Sequence, residues 1–271
     1  MMRFTRRIPV WLLSALLLAS CARVPITGRS QFVLVGAGEV NKLSFDAYQD
    51  FMKKNKVSTN AEQTAMVKRV GSRIATAVEE FCARENCADR LAGFAWEFNL
   101  VESKDVNAWC MPGGKVVIYT GILPVAQTEA GLAVVMGHEI AHAIAHHGAE
   151  RMTQNLATQY GLAIVDGALE GQTENTRALV KVVAGAGAQL GVLLPFSRVH
   201  ESEADRLGVT FMAMAGYDPR EAPRFWQRMT EKSQGGQPLE FLSTHPSHAT
   251  RIADLTRWAE EAVPHYEAAK P

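Results

Sequence analysis

This sequence has no excess of either positive or negative charge, and it has few cysteines. The 271 residues hold 28 Lys and Arg against 28 Asp and Glu, so the formal net charge is zero. The chain has no basic excess that could neutralise a phosphate backbone, which argues against a nucleic-acid partner. Four cysteines are too few for a disulfide-scaffolded miniprotein, and the CxxC spacing typical of structural zinc sites does not occur.

A membrane-spanning apolar run is also missing from the N-terminus. Residues 8–19 are apolar except for Ser14, but a spanning helix needs roughly 20 such residues. Arginines precede the run, and this arrangement predicts a secretory signal peptide over residues 1–20. The run ends in Leu-Ala-Ser immediately before Cys21, which resembles a bacterial lipobox and predicts acylation of Cys21. An ordinary signal peptide with an incidental cysteine is the alternative.

Acylation of Cys21 would attach the protein to a membrane, since two or three acyl chains hold far more firmly than one. Ala22 and not Asp follows, which in bacterial lipoproteins indicates the outer membrane. We therefore expect a lipid-anchored protein on the periplasmic side of the outer membrane. That compartment permits a disulfide, for which Cys82 and Cys87 are the favoured pair, with free or buried thiols as the alternative.

What the sequence does have is the hydrophobic content and periodicity of a folded domain. Hydrophobic residues make up 47% of the chain and recur at three- and four-residue steps over much of it. Strands are predicted at 94–101 by alternation and at 115–119 by β-branched residues. The pattern predicts an α+β fold, mostly helical with a small sheet, and its helices cover residues 43–54, 61–81, 128–147, 156–169, 178–194, 199–215, 223–232 and 248–266.

The sequence His-Glu-Ile-Ala-His at residues 138–142 carries the chemistry. On a helix, positions i and i+4 share a face, so the imidazoles of His138 and His142 can both bind one metal ion at about 2.0–2.1 Å. Glu139 lies close enough to act as a base toward water at that ion. Gly137, which costs about 1 kcal/mol relative to Ala inside a helix, predicts close backbone packing. The motif predicts a zinc peptidase; two core histidines beside a solvated glutamate are the alternative.

Two further histidines follow, and neither is predicted to bind the metal. His138, His142 and His146 would span about 12 Å along a helix, too far for one ion. The pattern HExxHxxGxxH would need Gly at 145 and His at 148, where the chain has Ala and Gly. His146 and His147 are therefore interpreted as packing or helix-end residues.

A third ligand must come from another segment, and residues 197–205 offer one. Helical spacing places Glu201 and Asp205 on one face, where Glu201 would complete a His₂Glu site with its fourth position open. Asp205 could accept the outer N–H of a ligating imidazole and fix its tautomer. Glu203 points the other way and is interpreted as solvated or salt-bridged. Spacing alone favours Glu201 over Glu203 only modestly.

The motifs together resemble a known family. HExxH is followed about sixty residues later by SRxxExxAD, and then by His245 and Pro246 before a terminal helix. With residues 107–121, this combination is similar to the CAAX-protease and HtpX-like zinc metallopeptidases, especially their periplasmic lipoprotein members. The resemblance implies a zincin-type fold with the sheet beside the HExxH helix, and one Zn²⁺ per chain. The ligands and the catalytic base that it implies are His138, His142, Glu201 and Glu139.

We accordingly expect three segments: a signal peptide over 1–20, a lipidated arm over 21–40 and a zinc metallopeptidase domain over 41–271. We predict that the strand at 115–119 lies at a sheet edge, where an extended substrate can add as a further strand. Its residues are Lys115, Val116, Val117, Ile118 and Tyr119. Such pairing favours misfolded or misassembled envelope polypeptides, with the outer-membrane assembly machinery as a candidate partner. A chaperone-like assembly factor with a mostly latent zinc site is the alternative. A purely structural zinc site would not need Glu139.

His245 is predicted to project from a loop, because a residue before proline is biased to extended conformations. The resemblance implies that the matching histidine can occupy the fourth zinc position and hold the enzyme latent. A transition-state hydrogen-bond donor and a helix-cap histidine are the alternatives.

Overall fold

The computed structural model describes residues 21–169, 173–188, 194–234, 239–246 and 250–270. The predicted signal peptide, residues 1–20, lies outside these ranges. The described chain is mostly helical with two small sheets, which confirms the α+β prediction. None of its helices combines the length and apolarity that crossing a bilayer requires.

The strands are β1 (Cys21–Arg23), β2 (Ser30–Phe32), β3 (Glu97–Val101), β4 (Ala108–Met111) and β5 (Lys115–Tyr119). The α-helices are α1 (Ala37–Lys54), α2 (Ala61–Arg84), α3 (Leu123–Ala126), α4 (Glu129–Ile144), α5 (His147–Ala168), α6 (Glu174–Ala188), α7 (Leu194–Met214), α8 (Glu221–Gln234), α9 (Glu240–Thr244) and α10 (Arg251–Ala268). Short 3₁₀ segments lie at Ala88–Leu91 and Thr120–Ile122.

The larger sheet has the strand order β3-β5-β4, with β3 parallel and β4 antiparallel to β5. The strand predicted at 115–119 is present with those bounds, but it is the central strand. The prediction that it offers an edge to substrate is therefore wrong, because both of its sides are already paired. The error arose from missing β4, whose sequence Ala-Trp-Cys-Met does not alternate between polar and apolar residues. The edges of this sheet are β3 and β4.

Helices α4 and α7 cross at the centre of the core. A Cβ atom on Gly137 would lie 2.8 Å from the carbonyl oxygen of Gly208, and one on Gly208 would lie 2.7 Å from the backbone nitrogen of His138. This confirms the close packing predicted at Gly137, because the two backbones meet where no side chain fits. The contact fixes α7 against α4 beside the first histidine of the HExxH motif.

Helix α4 begins as predicted and ends earlier. Thr128 is its N-cap and accepts a hydrogen bond from the Gly131 N–H. The helix ends at Ile144, and His146 adopts a left-handed conformation with φ 54° before α5 starts at His147. The prediction of one helix to residue 147 was wrong because the apolar periodicity continues across this turn.

The first part of the predicted arm, residues 21–32, folds back on itself. Strands β1 and β2 pair antiparallel, with Cys21 opposite Phe32, and form what we call the N-terminal hairpin, residues 21–32. Val24 and Gln31 of this hairpin are buried against the rest of the protein. The hairpin therefore belongs to the folded domain, while acylation of Cys21 stays a prediction.

Candidate metal centre

Four side chains meet where α4, α7 and the residue after α9 converge. One potential ligand atom from each of them lies within 4.8 Å of all the others, and the four residues are His138, His142, Glu201 and His245. His138 Nε2 lies 3.0 Å from His142 Nε2 and 3.3 Å from Glu201 Oε2. His245 Nδ1 lies 3.1 Å from His138 Nε2. The structure thus brings together the three predicted ligands and places His245, the predicted latch or donor, beside them.

These residues fit zinc. Two imidazole nitrogens and a carboxylate oxygen are a common zinc ligand set, and bonds of about 2.0–2.1 Å in a tetrahedron place ligand atoms roughly 3.3 Å apart. His138 and His142 have their Nε2 atoms 3.3 and 3.4 Å from the Glu201 oxygens. Glu203 is turned away from this group. The structure therefore decides between Glu201 and Glu203, which helical spacing alone could not.

The charge of the site also favours a cation. Burial opposes ionisation of Glu201, but hydrogen bonds from His138 and His245 outweigh it and hold the pKa of this carboxyl far below its usual range. Burial by itself would lower the pKa of His138, yet hydrogen bonds to Asp205 and Glu201 raise it to about 9. Burial keeps the pKa of His142 well below 6.5, which leaves a neutral ring. The acidic groups thus attract positive charge to this point.

Asp205 makes the predicted contact with a zinc ligand. Its Oδ1 lies 2.9 Å from His138 Nδ1 and accepts a 2.8 Å hydrogen bond from Arg251 Nη2. Burial opposes ionisation of Asp205, but Arg251 outweighs it and lowers the pKa of the carboxyl. An ionised Asp205 can only accept, so His138 Nδ1 carries a proton and donates it, and Nε2 is the nitrogen that would bind a metal once its own proton is released. Arg251 was not predicted, because only the fold brings α10 to α7.

Glu139 lies beside the ligands without joining them. Its Oε1 is buried and has no well-aligned hydrogen bond in the described part of the chain, although His245 Nε2 is 3.2 Å away. Burial raises the pKa of this carboxylate, against the opposing influence of His245 and His138. A buried carboxylate with a free lone pair is suited to accept a proton from water.

A cavity of about 240 Å³ opens on Glu139, His142 and His245. We call it the cleft. Its other walls are mainly apolar and come from the segment after the N-terminal hairpin, the start of α1, the residues before β3, the turn after β4, and α4. They include Val33, Val35, Val40, Phe94, Pro112 and Ala143. Cys110 of the edge strand β4 also lines it. The cleft can therefore hold an apolar side chain. The edge strand β4 lies alongside, and its outer side pairs with no other strand in the described part of the chain.

The remaining candidates do not bind the metal. His146 Nε2 lies 3.2 Å from the carbonyl oxygen of Arg90. His147 lies behind His142 and contacts Glu203, which is buried and ion-paired and not solvated. Cys82 and Cys87 are free thiols whose sulfur atoms lie 2.8 Å apart.

Comparison with known proteins agrees with this geometry. Residues 61–259 match the profile of peptidase family M48. The chain is 32% identical over 243 residues to the mitochondrial metalloendopeptidase OMA1 of Schizosaccharomyces pombe, covering 88% of this chain and 66% of that protein. It is 40% identical over 162 residues to the mitochondrial metalloendopeptidase OMA1 of Arabidopsis thaliana, covering 59% of this chain and 31% of that protein.

A bacterial protein is also similar. The β-barrel assembly-enhancing protease of Escherichia coli is 29% identical over 175 residues, covering 62% of this chain and 35% of that protein. The chain therefore spans between about a third and two thirds of these relatives. The predicted metallopeptidase family and its zinc dependence are confirmed, while the narrower likeness to lipoprotein members stays a prediction. The chain belongs to peptidase family M48.

Proposed function

We propose that the protein is a zinc-dependent endopeptidase that hydrolyses polypeptides in the bacterial cell envelope. One observation carries this proposal: the Glu139 carboxylate, with an unused lone pair, faces the same cleft as His142 of the His₂Glu set. A structural zinc site would have no use for an open cleft or for this carboxylate. Membership of peptidase family M48 and relatives named as metalloendopeptidases support the same reaction.

The residues divide the work as follows. His138, His142 and Glu201 would hold zinc, which as a Lewis acid polarises the scissile carbonyl and lowers the pKa of water. Glu139 accepts the proton of the attacking water and returns it to the leaving amine. An extended substrate pairs with the free edge of β4, which replaces β5 in this role. The apolar wall of the cleft receives one substrate side chain.

Misfolded or misassembled envelope proteins are the substrates that we propose. Pairing with a strand edge depends on backbone groups, so it selects extended chains over particular sequences. The name of the Escherichia coli relative links that protein to β-barrel assembly, which supports the outer-membrane assembly machinery as a partner. A chaperone-like role with a mostly latent zinc site is the second candidate, because His245 already lies among the ligands.

Removal of zinc tests the hydrolysis. The purified protein should cleave an unfolded polypeptide, stop after treatment with a chelator, and recover when Zn²⁺ but not Mg²⁺ is added back. Cleavage is read by gel electrophoresis and mass spectrometry of the fragments. Undiminished cleavage by fully zinc-free protein would contradict the proposal, whereas binding of the unfolded chain without any cleavage would favour the chaperone.

Cys21→Ser tests the anchor. We expect the variant to lose palmitate labelling and to appear in the soluble periplasmic fraction or as an unprocessed precursor, because no thiol remains to be acylated. Metabolic labelling and membrane fractionation measure this. Ser20, the neighbouring small residue, gives a control, since Ser20→Ala leaves the lipobox intact and should stay labelled. Labelling of Cys21→Ser would refute the anchor.

His245→Ala tests the latch. The imidazole ring of His245 stacks on Phe241 at 4.6 Å between centroids and its Nδ1 lies 3.1 Å from Glu201 Oε2, so we propose that it acts as a fourth ligand at rest. If the latch is closed for about nine tenths of the time, its removal should raise kcat/KM about tenfold. A fall in kcat/KM would show that His245 is a transition-state donor, and an unchanged value would show that it only ends α9.

A further inference from the structure

The N-terminal hairpin sends one arginine into a buried acidic cluster. Arg29 donates from Nη1 and Nη2 to both oxygens of Glu150, each at 2.8 Å. It also donates from Nε and Nη2 to Glu203 Oε2, at 2.9 and 2.7 Å. Thr27 donates to the other Glu203 oxygen, and Gln31 donates to Glu150 at 2.7 Å. The hairpin therefore supplies most of the hydrogen bonds that hold these two carboxylates.

Glu203 is connected to the metal centre through one histidine. Its Oε2 lies 2.9 Å from His147 Nε2, and His147 Nδ1 lies 2.8 Å from His142 Nδ1. His142 Nε2 is the atom that faces His138 and Glu201. A continuous hydrogen-bonded path thus runs from Arg29 through Glu203 and His147 to a zinc ligand.

The path fixes where the protons lie. The Glu203 carboxylate can only accept, so His147 Nε2 must carry the proton and donate it. A neutral His147 then has a bare Nδ1, which accepts from His142 Nδ1–H. His142 is left with its lone pair on Nε2, the atom that points to the metal. Any other assignment would place an N–H where the metal ligand must be.

His138, the other histidine ligand, is also held by an arginine-fixed acid of α7. Asp205, fixed by Arg251, accepts from His138 Nδ1 directly, whereas Glu203, fixed by Arg29, acts on His142 through His147. Both acids stand on α7, two residues apart. We propose that Arg29, with Glu203 and His147, is a positioning element of the metal centre, so that the N-terminal hairpin sets the orientation and tautomer of His142.

The chemistry of the cluster explains why the residue is arginine. Its planar guanidinium offers five donors in a fixed fork and here spans two carboxylates, whereas a lysine ammonium is a point charge on a flexible stem. Without that fork, the Glu203 carboxylate would not be fixed relative to Glu150 and to water, and it would hold His147 less firmly. Partners of this kind typically change metal affinity by 10–100-fold.

Metal affinity and not hydrolysis tests the inference. The inference rests on the zinc site of the proposed function. A measurement of zinc affinity tests the positioning role of Arg29 whether or not the protein hydrolyses peptides, so the two proposals can fail separately. Zinc dissociation constants are measured by competition with a chromophoric chelator for Arg29→Gln and His147→Leu. We expect both to weaken binding by 10–100-fold, Arg29→Lys to recover part of the loss, and the Co²⁺-substituted variants to show altered visible absorption.

Arg23→Gln is the matched control, because Arg23 lies in the same hairpin with an exposed side chain. The double variant Arg29→Gln/His147→Leu should bind zinc no more weakly than His147→Leu alone, since both changes interrupt one path. Far-UV circular dichroism confirms folding, and if Arg29→Gln fails to fold, the His147→Leu affinity and spectrum decide. Folded variants with the zinc affinity and Co²⁺ spectrum of the wild type would overturn the proposal.

Discussion

Glu139→Gln should retain zinc and lose nearly all hydrolysis. The amide keeps the size of the side chain and leaves His138, His142 and Glu201 in place, but it cannot take a proton from water. General-base catalysis is worth 10²–10⁴-fold, so kcat/KM should fall by that factor, or about 3–5 kcal/mol of transition-state stabilisation. Progress curves on an unfolded polypeptide, together with zinc analysis of the same sample, measure both quantities.

The matched control is Glu129→Gln, at the start of the same helix. Glu129 pairs with Arg69 near the surface, far along α4 from the HExxH motif, and such pairs contribute little to stability. We expect its kcat/KM to equal that of the wild type. If Glu139→Gln retained more than a tenth of the activity at full zinc occupancy, another group would have to be the base.

Glu201→Gln should lose zinc. The substitution removes the only carboxylate among the proposed ligands and leaves two imidazoles, so the loss of affinity should exceed the 10–100-fold expected for residues that act through a ligand. Metal content after gel filtration and chelator competition measure this. Activity should fall in proportion to bound zinc and return in part at high zinc concentration.

Glu203→Gln, on the same helix, separates the two glutamates. It should weaken zinc binding within the 10–100-fold range yet bind one zinc at saturation, because the described contacts connect Glu203 to the metal centre through His147 and not directly. Loss of stoichiometric zinc in Glu203→Gln, with tight binding in Glu201→Gln, would reverse the assignment made here.

Sequence reasoning predicted those parts of the site whose spacing is local. Two histidines four residues apart on an amphipathic helix share a face whatever surrounds them, so His138 and His142 were recognised at once. Asp205 was paired correctly with a ligating imidazole because it shares the helical face of Glu201. The close packing at Gly137 follows from an equally short-range rule.

The features that sequence reasoning missed depend on long-range contacts. Arg29 and Arg251 come from opposite ends of the chain, and no periodicity indicates that each meets an acid of α7. His147 looked like a packing residue because its role requires the turn at His146 that ends α4. The edge was assigned to β5 because β4 is short and does not alternate, so the register of the sheet could not be seen.

Unequal exposure of the four site residues determines how the metal exchanges. The side chains of Glu201 and His138 are 0% and 2% exposed, whereas those of His142 and His245 are 13% and 12% exposed. We therefore expect zinc to enter and leave on the side of the cleft, which is also the side on which we propose that substrate binds. A bound peptide, or His245 in its latched position, stands across that exit. The residence time of zinc should accordingly lengthen whenever the cleft is filled, so a protease engaged with substrate is protected from competing chelators.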